Sequence, residues 1–468
     1  MNKMSIKEIL EATGGTLLHK GSENYITGIE QDSRKCGSGD MFTAIIGENH
    51  DGHDYIRQVL DSGCGTILVS RDISVQGAAG AQDIGGYDVN VILVDDTVHA
   101  LGQLASYYLD TLNVKKVAVT GSVGKTSVRD MIYYILSEKY NCGRNMKNYN
   151  NFIGLPFSVF QFDSDTEVVV LEMGMDRFGE IDRLSEIVKP HIGVITNIGI
   201  AHIERLGSRE GIFRAKMELV NHLGEGSEDR AALVFAYDDE MLTRESTKGN
   251  YDQIAIGENG KSDYIISSVD DFGIEGIQFT LEHLEESRRI SLPVPGYHNA
   301  ANASLAIAVG NLLGVTTEEA VKGLAKTELT GSRLRQTGNG KIKIIDDTYN
   351  ATPDSVKSAL KVLENSPGKR KIAILGDMYE LGSERDRQHF NIGVFTRMLE
   401  IDWVVAVGEA AKNIADGAAG GTAQVAWFEK KEDFYREVDR FAEIGDIILI
   451  KGSRGMKMEQ IVEKLLEQ

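Results

Sequence analysis

The sequence predicts an α/β protein of three domains, on three observations. The chain has 468 residues, which at roughly 100–200 residues per domain corresponds to about three separate cores. Two stretches alternate near-continuous Val/Ile strands with helical segments, the pattern of a parallel sheet covered on both faces. The pattern changes near residues 97 and 330, dividing the chain into 1–97, 98–329 and 330–468. Hydrophobic residues at 42% and charged residues at 26% exclude a fibrous, collagen-like or wholly disordered chain.

In the first segment the strand-like pieces are Tyr25–Gln31, Met41–Ile46, Thr66–Val69 and Val89–Val94, joined by loops rich in Gly, Asp and His. They read as a small α/β domain. A helix over His99–Leu112 then leads to apolar strands at Val117–Thr120, Val168–Met173, Ile192–Asn197 and Ala232–Tyr237. In such sheets ligands bind beyond the carboxyl ends of the strands, which directs attention to Gly121–Thr126, Glu172 and Asn197–His202. After residue 330 the alternation restarts with strands Ile342–Asp346, Ile372–Leu375, Val404–Val407 and Ile447–Ile450, a second doubly wound, Rossmann-like domain. There Thr352-Pro353 reads as an N-cap followed by proline at the first position of a helix over Asp354–Glu364.

Charge and composition narrow the function. Asp+Glu number 70 against 50 Lys+Arg, a net charge of −20, so no general nucleic-acid surface is expected. Any phosphate ligand must be met by glycine loops and a few placed cations. No window reaches the roughly 18 unbroken apolar residues of a membrane helix. Glu8 and Glu11 stand where a signal peptide would be apolar, so the expectation is a cytoplasmic protein with no membrane partner. The three cysteines, Cys36, Cys64 and Cys142, are too few and too scattered for a disulfide framework or a thiolate cage.

The strongest local signal is Thr120-Gly121-Ser122-Val123-Gly124-Lys125-Thr126, followed by Ser127 and a helix to Lys139. A glycine-rich turn between strand and helix lets backbone N–H groups approach phosphates. Lys125 then neutralises the β/γ oxygens, and the Thr126 hydroxyl can coordinate Mg²⁺. The middle domain is therefore of P-loop type and is expected to bind a nucleotide, ATP or GTP; no Asn-Lys-x-Asp guanine signature is present. Val119 stands where the usual pattern has its first glycine. Taken singly, Glu172 is either a metal ligand or a loop-capping carboxylate, His202 is equally ambiguous, and Lys216 reads as a surface helix lysine.

As a set, these residues resemble the Mur ligases, ATP-dependent amide-forming enzymes of peptidoglycan precursor synthesis. The resemblance runs along nearly the whole chain. It comprises Thr120–Thr126, Asn148-Tyr149-Asn150-Asn151 with Gly154-Leu155-Pro156, Glu172-Met173-Gly174, Thr196-Asn197-Ile198 with Ala201-His202, Lys216, His298-Asn299 with Asn302, and Gly331-Ser332-Arg333. The family loop also lacks the first Walker glycine. Within the family, Asp347–Ser355, Leu375–Gly382 and Lys451–Lys457 make the chain most similar to members that add D-alanyl-D-alanine to UDP-N-acetylmuramoyl-tripeptide. One departure is Phe235-Ala236-Tyr237-Asp238-Asp239, where the family usually has Asn before the acidic pair.

The resemblance implies an ATP-dependent peptide ligase working through an acyl phosphate. It implies catalytic roles for Lys125, Glu172, His202, Lys216 and Arg333. One Mg²⁺ would be held by Thr126 and Glu172, and a second by His202 with a CO₂-derived carbamate on Lys216. ATP would be met by Gly121, Ser122, Val123, Gly124, Lys125, Thr126 and Ser127, by His298, Asn299 and Asn302 on the adenine side, and by Arg333 and Asp347 of the third domain. Asn299 could equally be a helix cap. Ser33, Arg34, Gly47 and His53 resemble the UDP-sugar end, although a structural salt bridge suits Arg34 nearly as well. Asn350, Pro353, Asp354 and Asp377 resemble the D-alanyl-D-alanine end, with Glu380 supporting it. The expected protein is a monomer with one domain per ligand. The alternatives are a Mur-type ligase adding a single amino acid, a relative that builds a polyamide chain, and a nucleotide-dependent switch without catalysis.

Overall fold

The computed structural model describes residues 1–73, 84, 86–146, 148–237 and 240–467. The acidic pair Asp238–Asp239 lies outside the described residues. Three main sheets divide the molecule into three α/β domains.

The N-terminal sheet runs Thr16–His19, Asn90–Leu93, Thr66–Val69, Asp40–Thr43, Gly28–Glu30, with the last four strands parallel and Thr16–His19 antiparallel at the edge. The expected strand over Tyr25–Gln31 is two pieces. Tyr25–Ile26 pairs with Met4–Ser5, whereas Gly28–Glu30 pairs with Asp40–Phe42, so the chain changes partners at Thr27. A helix not anticipated from sequence, Ile6–Thr13, is closed by a reciprocal Ser5/Glu8 capping box and ends at Gly14 in the left-handed region.

The central sheet has nine strands. Cys142–Arg144, Val168–Glu172, Lys115–Thr120, Ile192–Ile195, Ala232–Ala236, Asp252–Gly257 and Tyr264–Asp271 run parallel in that spatial order, and Ile277–His283 and Glu286–Leu292 extend the sheet as antiparallel hairpins. Its middle strands are buried on both faces, as their unbroken Val/Ile runs require. Successive residues feed different cores. Val117 and Val119 pack with Met131 and Ile132 of the helix Lys125–Leu136, and Ala118 packs on the opposite face with Leu101 and Leu104 of the helix Thr97–Leu112.

The C-terminal sheet runs Arg335–Gly338, Lys343–Asp347, Ile447–Lys451, Lys371–Gly376, Trp403–Val407, Gln424–Phe428, antiparallel only at its first pair. The helix Pro353–Asn365 begins as expected: Thr352 is its N-cap, bonded reciprocally with Ser355, and proline takes the first helical position. Among the described residues no helix is long and apolar enough to cross a membrane.

Candidate active site between the central and C-terminal domains

The glycine loop is shaped by strand Ile192–Ile195 and the residues after it. Gly121 has φ +151°, and a Cβ there would stand 1.9 Å from Thr196 Oγ1, so only glycine fits. Thr196 Oγ1 donates to Val123 O (2.6 Å), and Asn197 clasps Val123 by its amide, accepting from N–H (3.0 Å) and donating to C=O (2.8 Å). Ser122 Oγ accepts from Gly199 N–H (2.9 Å). The loop is thus fixed before any ligand arrives, with the helix Lys125–Leu136 starting behind Gly124.

Two lysines converge on one carbonyl. Lys125 Nζ donates to Gly121 O (2.8 Å), and Lys216 Nζ donates to the same oxygen (2.9 Å) from the helix Arg209–Met217. Lys216 is 1% exposed. Burial, and then the neighbouring Lys125 charge, push its ammonium well below the ordinary lysine range. Lys125 is also lowered by burial, partly restored by Glu172 and lowered further by Arg333. Lys216, read from sequence as a surface lysine, is therefore deeply buried.

Glu172 ends strand Val168–Glu172 and is nearly buried. Its Oε2 accepts from Thr126 Oγ1 (2.7 Å) and its Oε1 from Asn150 Nδ2 (2.9 Å). Among the described residues no three His, Cys, Asp or Glu side chains converge as a ready-made cage. A hydroxyl beside one carboxylate is instead the small donor set suited to Mg²⁺, which keeps waters and takes phosphate oxygens. His202, with φ +64°, places Nδ1 3.2 Å from Asp176 Oδ1 and 3.1 Å from Glu380 Oε2 of the C-terminal domain. The His202 contact holds the Glu380 carboxyl below its usual range.

Three cavities meet at this point. The first is walled by Ser122–Ser127, Asn150, Glu172, His298 and Asn299 from the central domain, and by Arg333, Asp347, Tyr349, Asn350 and Lys451 from the C-terminal domain. The second, lined by Val98, Asn150–Ile153, Gly174–Asp176, Glu180 and His202, belongs mainly to the central domain. The third lies between Ser122, Ile200–His202 and the C-terminal segments Asn350–Pro353, Tyr379–Leu381 and Ser453–Gly455. Lys125 lines all three.

The other expected site residues divide by place. Asn302 lies under the loop, with its amide donating to Asn299 Oδ1 (2.7 Å), while Asn299 donates to Pro295 O and caps nothing. Burial lowers the pKa of His298. Arg333 stacks over the Tyr349 ring, its guanidinium carbon 3.7 Å from the ring centre. Asp347 is paired with Lys451 (2.6 Å) in a nearly dry setting. Asn350 and Pro353 line the third cavity, but Asp354 and Asp377 do not. Asp354 lies against Gly199, and Asp377 Oδ1 accepts from Ala411 N–H (2.7 Å).

Ser33, Arg34, Gly47 and His53 line none of the three cavities. The Arg34 side chain is 79% exposed and chelated by Asp32, and Ser33 Oγ donates to Gln58. Gly47 N–H donates to His50 O. His53 is fully buried: its Nε2 accepts from Ser70 N–H (3.1 Å), which leaves the proton on Nδ1 for Asp51 (2.7 Å). Lys451, Tyr349, Ser453 and Arg454 enter the site; they fall within the motifs Asp347–Ser355 and Lys451–Lys457, which assigned them no individual role. The signal for Lys451 was available, since it follows the apolar strand Ile447–Ile450 at a carboxyl end.

Three family models match successive stretches of the chain. Residues 25–109 match the Mur ligase family catalytic domain, 119–310 the Mur ligase middle domain, and 332–454 the Mur ligase glutamate ligase domain. A UDP-N-acetylmuramoyl-tripeptide–D-alanyl-D-alanine ligase of Bacillus subtilis is 38% identical over 476 residues, covering 100% of this chain and 99% of the relative. The enzyme of the same name in Escherichia coli is 31% identical, with coverage of 100% and 99%. A crystal structure of MurF from Acinetobacter baumannii superposes with a TM-score of 0.90 at 30% identity, covering all of both chains. The MurF ligase of Thermotoga maritima in complex with ADP gives 0.81 at 27% identity, covering 94% of this chain and 97% of that one.

Proposed function

The chain belongs to the Mur ligase family, and on that premise we propose how its site works. The protein is an ATP-dependent ligase that joins D-alanyl-D-alanine to UDP-N-acetylmuramoyl-tripeptide, by way of an acyl phosphate, in peptidoglycan precursor synthesis. The observation that carries the assignment of the site is the position of Lys125, which borders all three cavities. ATP occupies the first, the tripeptide end of the UDP substrate the second, and the dipeptide the third.

In the first step a carboxylate oxygen of the tripeptide attacks the γ-phosphorus and ADP leaves. In the second the dipeptide amine attacks the acyl carbon, phosphate leaves and the amine gives up a proton. Both steps gather negative charge on crowded oxygens, so positioned cations and N–H groups supply the catalysis. The N–H groups of Gly124, Lys125 and Thr126 cradle the phosphates, those of Ser122 and Val123 being held by Asn197, and Lys125 exchanges its bonds to Gly121 O and Ser122 O for the β/γ oxygens. Arg333 and Asp347 reach the nucleotide from the C-terminal domain, so the ATP site is complete only when both domains bound it. Asn302 supports the loop from beneath.

Thr126 and Glu172 fit one Mg²⁺, and His202 with a carbamylated Lys216 fits a second. Such ions neutralise phosphate and carboxylate oxygens as charge moves between them. Carbamylation needs a neutral amine: Lys216 Nζ bonds to the carbon of CO₂ and releases a proton, leaving a hard oxygen ligand. The deep burial of Lys216, which disfavours its ammonium form, supports this reading. Lys216→Ala is expected to lose about a hundredfold in kcat and to regain part of it with added short carboxylic acids; full activity without them would refute the role.

The third cavity suits a zwitterion. Glu380 faces the ammonium beside His202, and Arg454 is the guanidinium among its lining residues. Asn350 and Pro353 form the wall between them; Asp354 follows Pro353 and lies against Gly199, and the Asp377 carbonyl accepts from Ser453 N–H (2.9 Å) of the same lining. The UDP end falls to the N-terminal domain, residues 1–97, through Ser33, Arg34 and Gly47, with His53 shaping the fold beneath. The division at 97/98 then sets the UDP end apart, while ATP and the dipeptide both lie across the division at 329/330. The proposed protein is a cytoplasmic monomer, and a net charge of −20 disfavours nucleic acid.

The test is phosphate release from ATP with UDP-N-acetylmuramoyl-tripeptide, and with D-alanyl-D-alanine, single amino acids or no acceptor. Steady release is expected only with the dipeptide, accompanied by the amide product. Release that ignores the dipeptide would overturn the reading.

A further inference from the structure

Arg129 and Asp130 follow the phosphate loop by one helical turn and are both fully buried, yet neither lines any of the three cavities. Adjacent residues on a helix point in different directions, and a buried ion pair carries a desolvation cost that apolar side chains avoid. The bonds of this pair connect separate parts of the site. Asp130 Oδ1 accepts from Arg129 Nε (3.0 Å) and from Arg144 (2.8 Å), while its Oδ2 accepts from Thr330 N–H (2.7 Å). Arg129 donates to Thr330 Oγ1 (3.0 Å) and to Asn145 O (3.2 Å), and it stands 3.6 Å from Glu172 Oε2. Thr330 O in turn receives the Arg333 guanidinium.

An unbroken chain of polar contacts therefore runs from Glu172, through Arg129 and Asp130, to Thr330 and Arg333. Thr330 lies in the linker where the chain passes from the central to the C-terminal sheet. We infer that Arg129 and Asp130 are positioning residues: they pin the interdomain linker at Thr330 to the floor of the Glu172 site, so that Arg333 meets the phosphates at a fixed offset from Glu172. Asp130 also draws the Arg129 charge away from Glu172, leaving that carboxylate available to a cation. The role rests on the ligase reading above.

Two variants and two kinds of readout test it. Thr330→Val keeps the side-chain volume and the N–H to Asp130 but removes the oxygen that receives Arg129. It is expected to lower kcat by about tenfold, the scale of a misplacement below 1 Å, with KM for the three ligands and the melting temperature unchanged. Asp130→Asn releases Arg129 toward Glu172 and should in addition weaken Mg²⁺-dependent ADP binding several-fold by calorimetry, with Asp130→Glu recovering part of the loss. If Asp130→Asn does not fold, Thr330→Val alone decides. Wild-type kcat in Thr330→Val, or an Asp130→Asn chain that loses only thermal stability, would overturn the positioning role. Failure of the wild-type chain to form amide would instead remove the ligase reading.

Discussion

The central and C-terminal sheets are both mainly parallel and both offer their strand ends to one cavity, but they treat charge in opposite ways. At the central ends, two lysines share a single glycine carbonyl, and Lys216 is pushed toward neutrality with no carboxylate among the described residues bonded to it. At the C-terminal ends, Asp347 and Lys451 satisfy each other at 2.6 Å, and Lys451 also donates to Asn350 O (2.8 Å). The first surface leaves its buried lysines for a ligand to complete; on the second the Asp347–Lys451 pair is already neutral, and the charge that faces the cavities comes from Arg333, Glu380 and Arg454. A shared fold thus fixes where a ligand lies, while the residues at the strand ends decide which charges it meets.

Replacing the central cation should break that contrast most severely. Lys125→Met is expected to lower kcat by about a thousandfold, read by phosphate release, with the melting temperature unchanged or raised as a strained ammonium is removed. A loss below tenfold would mean that the loop N–H groups carry the phosphates alone. On the other sheet the same kind of change should act on stability. Lys451→Met leaves Asp347 buried without its partner and is expected to cost about 3 kcal/mol in denaturant unfolding. The double variant Lys451→Met/Asp347→Leu should regain most of that stability without regaining ATP turnover.

Glu380→Gln sharpens the comparison where the two domains touch. Removing its charge should raise KM for D-alanyl-D-alanine by about tenfold while leaving KM for ATP alone, since a lost charged hydrogen bond amounts to roughly 1.5–3 kcal/mol. Equal changes in both constants would place Glu380 in domain closure instead.

The smallest effect belongs to the opposite end of the central sheet. His191 precedes strand Ile192–Ile195, its Nδ1 accepts from Lys116 N–H (3.1 Å), and burial followed by the Lys116 charge lowers its pKa to about 4. The unfolded imidazole titrates near roughly 6.5, so the unfolded chain binds more protons between the two values. Stability from this group is complete above the upper value and is lost as pH falls through the window. His191→Gln should flatten the stability-against-pH curve there without altering turnover at neutral pH.

How much could be read in advance followed the strength of the local signal. The apolar strands ending at Thr120, Glu172 and Ile195 were legible because burial on both faces leaves no polar alternation, and Thr352-Pro353 marked its helix by capping chemistry alone. Strands Tyr264–Asp271, Ile277–His283 and Glu286–Leu292 passed unnoticed. They are half-exposed, with polar residues alternating through a hairpin extension that the parallel-sheet pattern does not describe. Lys216 misled in the other direction: its helix carries Arg209, Glu210 and Arg214 nearby, and nothing in that spacing reveals which polar side chain turns inward. The roles of Arg129 and Asp130 depend on Thr330, 200 residues away in sequence from Asp130, and such a contact has no local signature.

The corner at Lys125 also bears on how the protein could be blocked. Because the three cavities share that side chain, one small molecule can extend through the corner and fill parts of two of them. Such a compound loses its translational and rotational freedom once for two sets of contacts. An inhibitor that bridges the nucleotide and dipeptide cavities would therefore bind more tightly than its halves suggest. It would also depend on residues of both domains, so a substitution in one domain would remove only part of its hold.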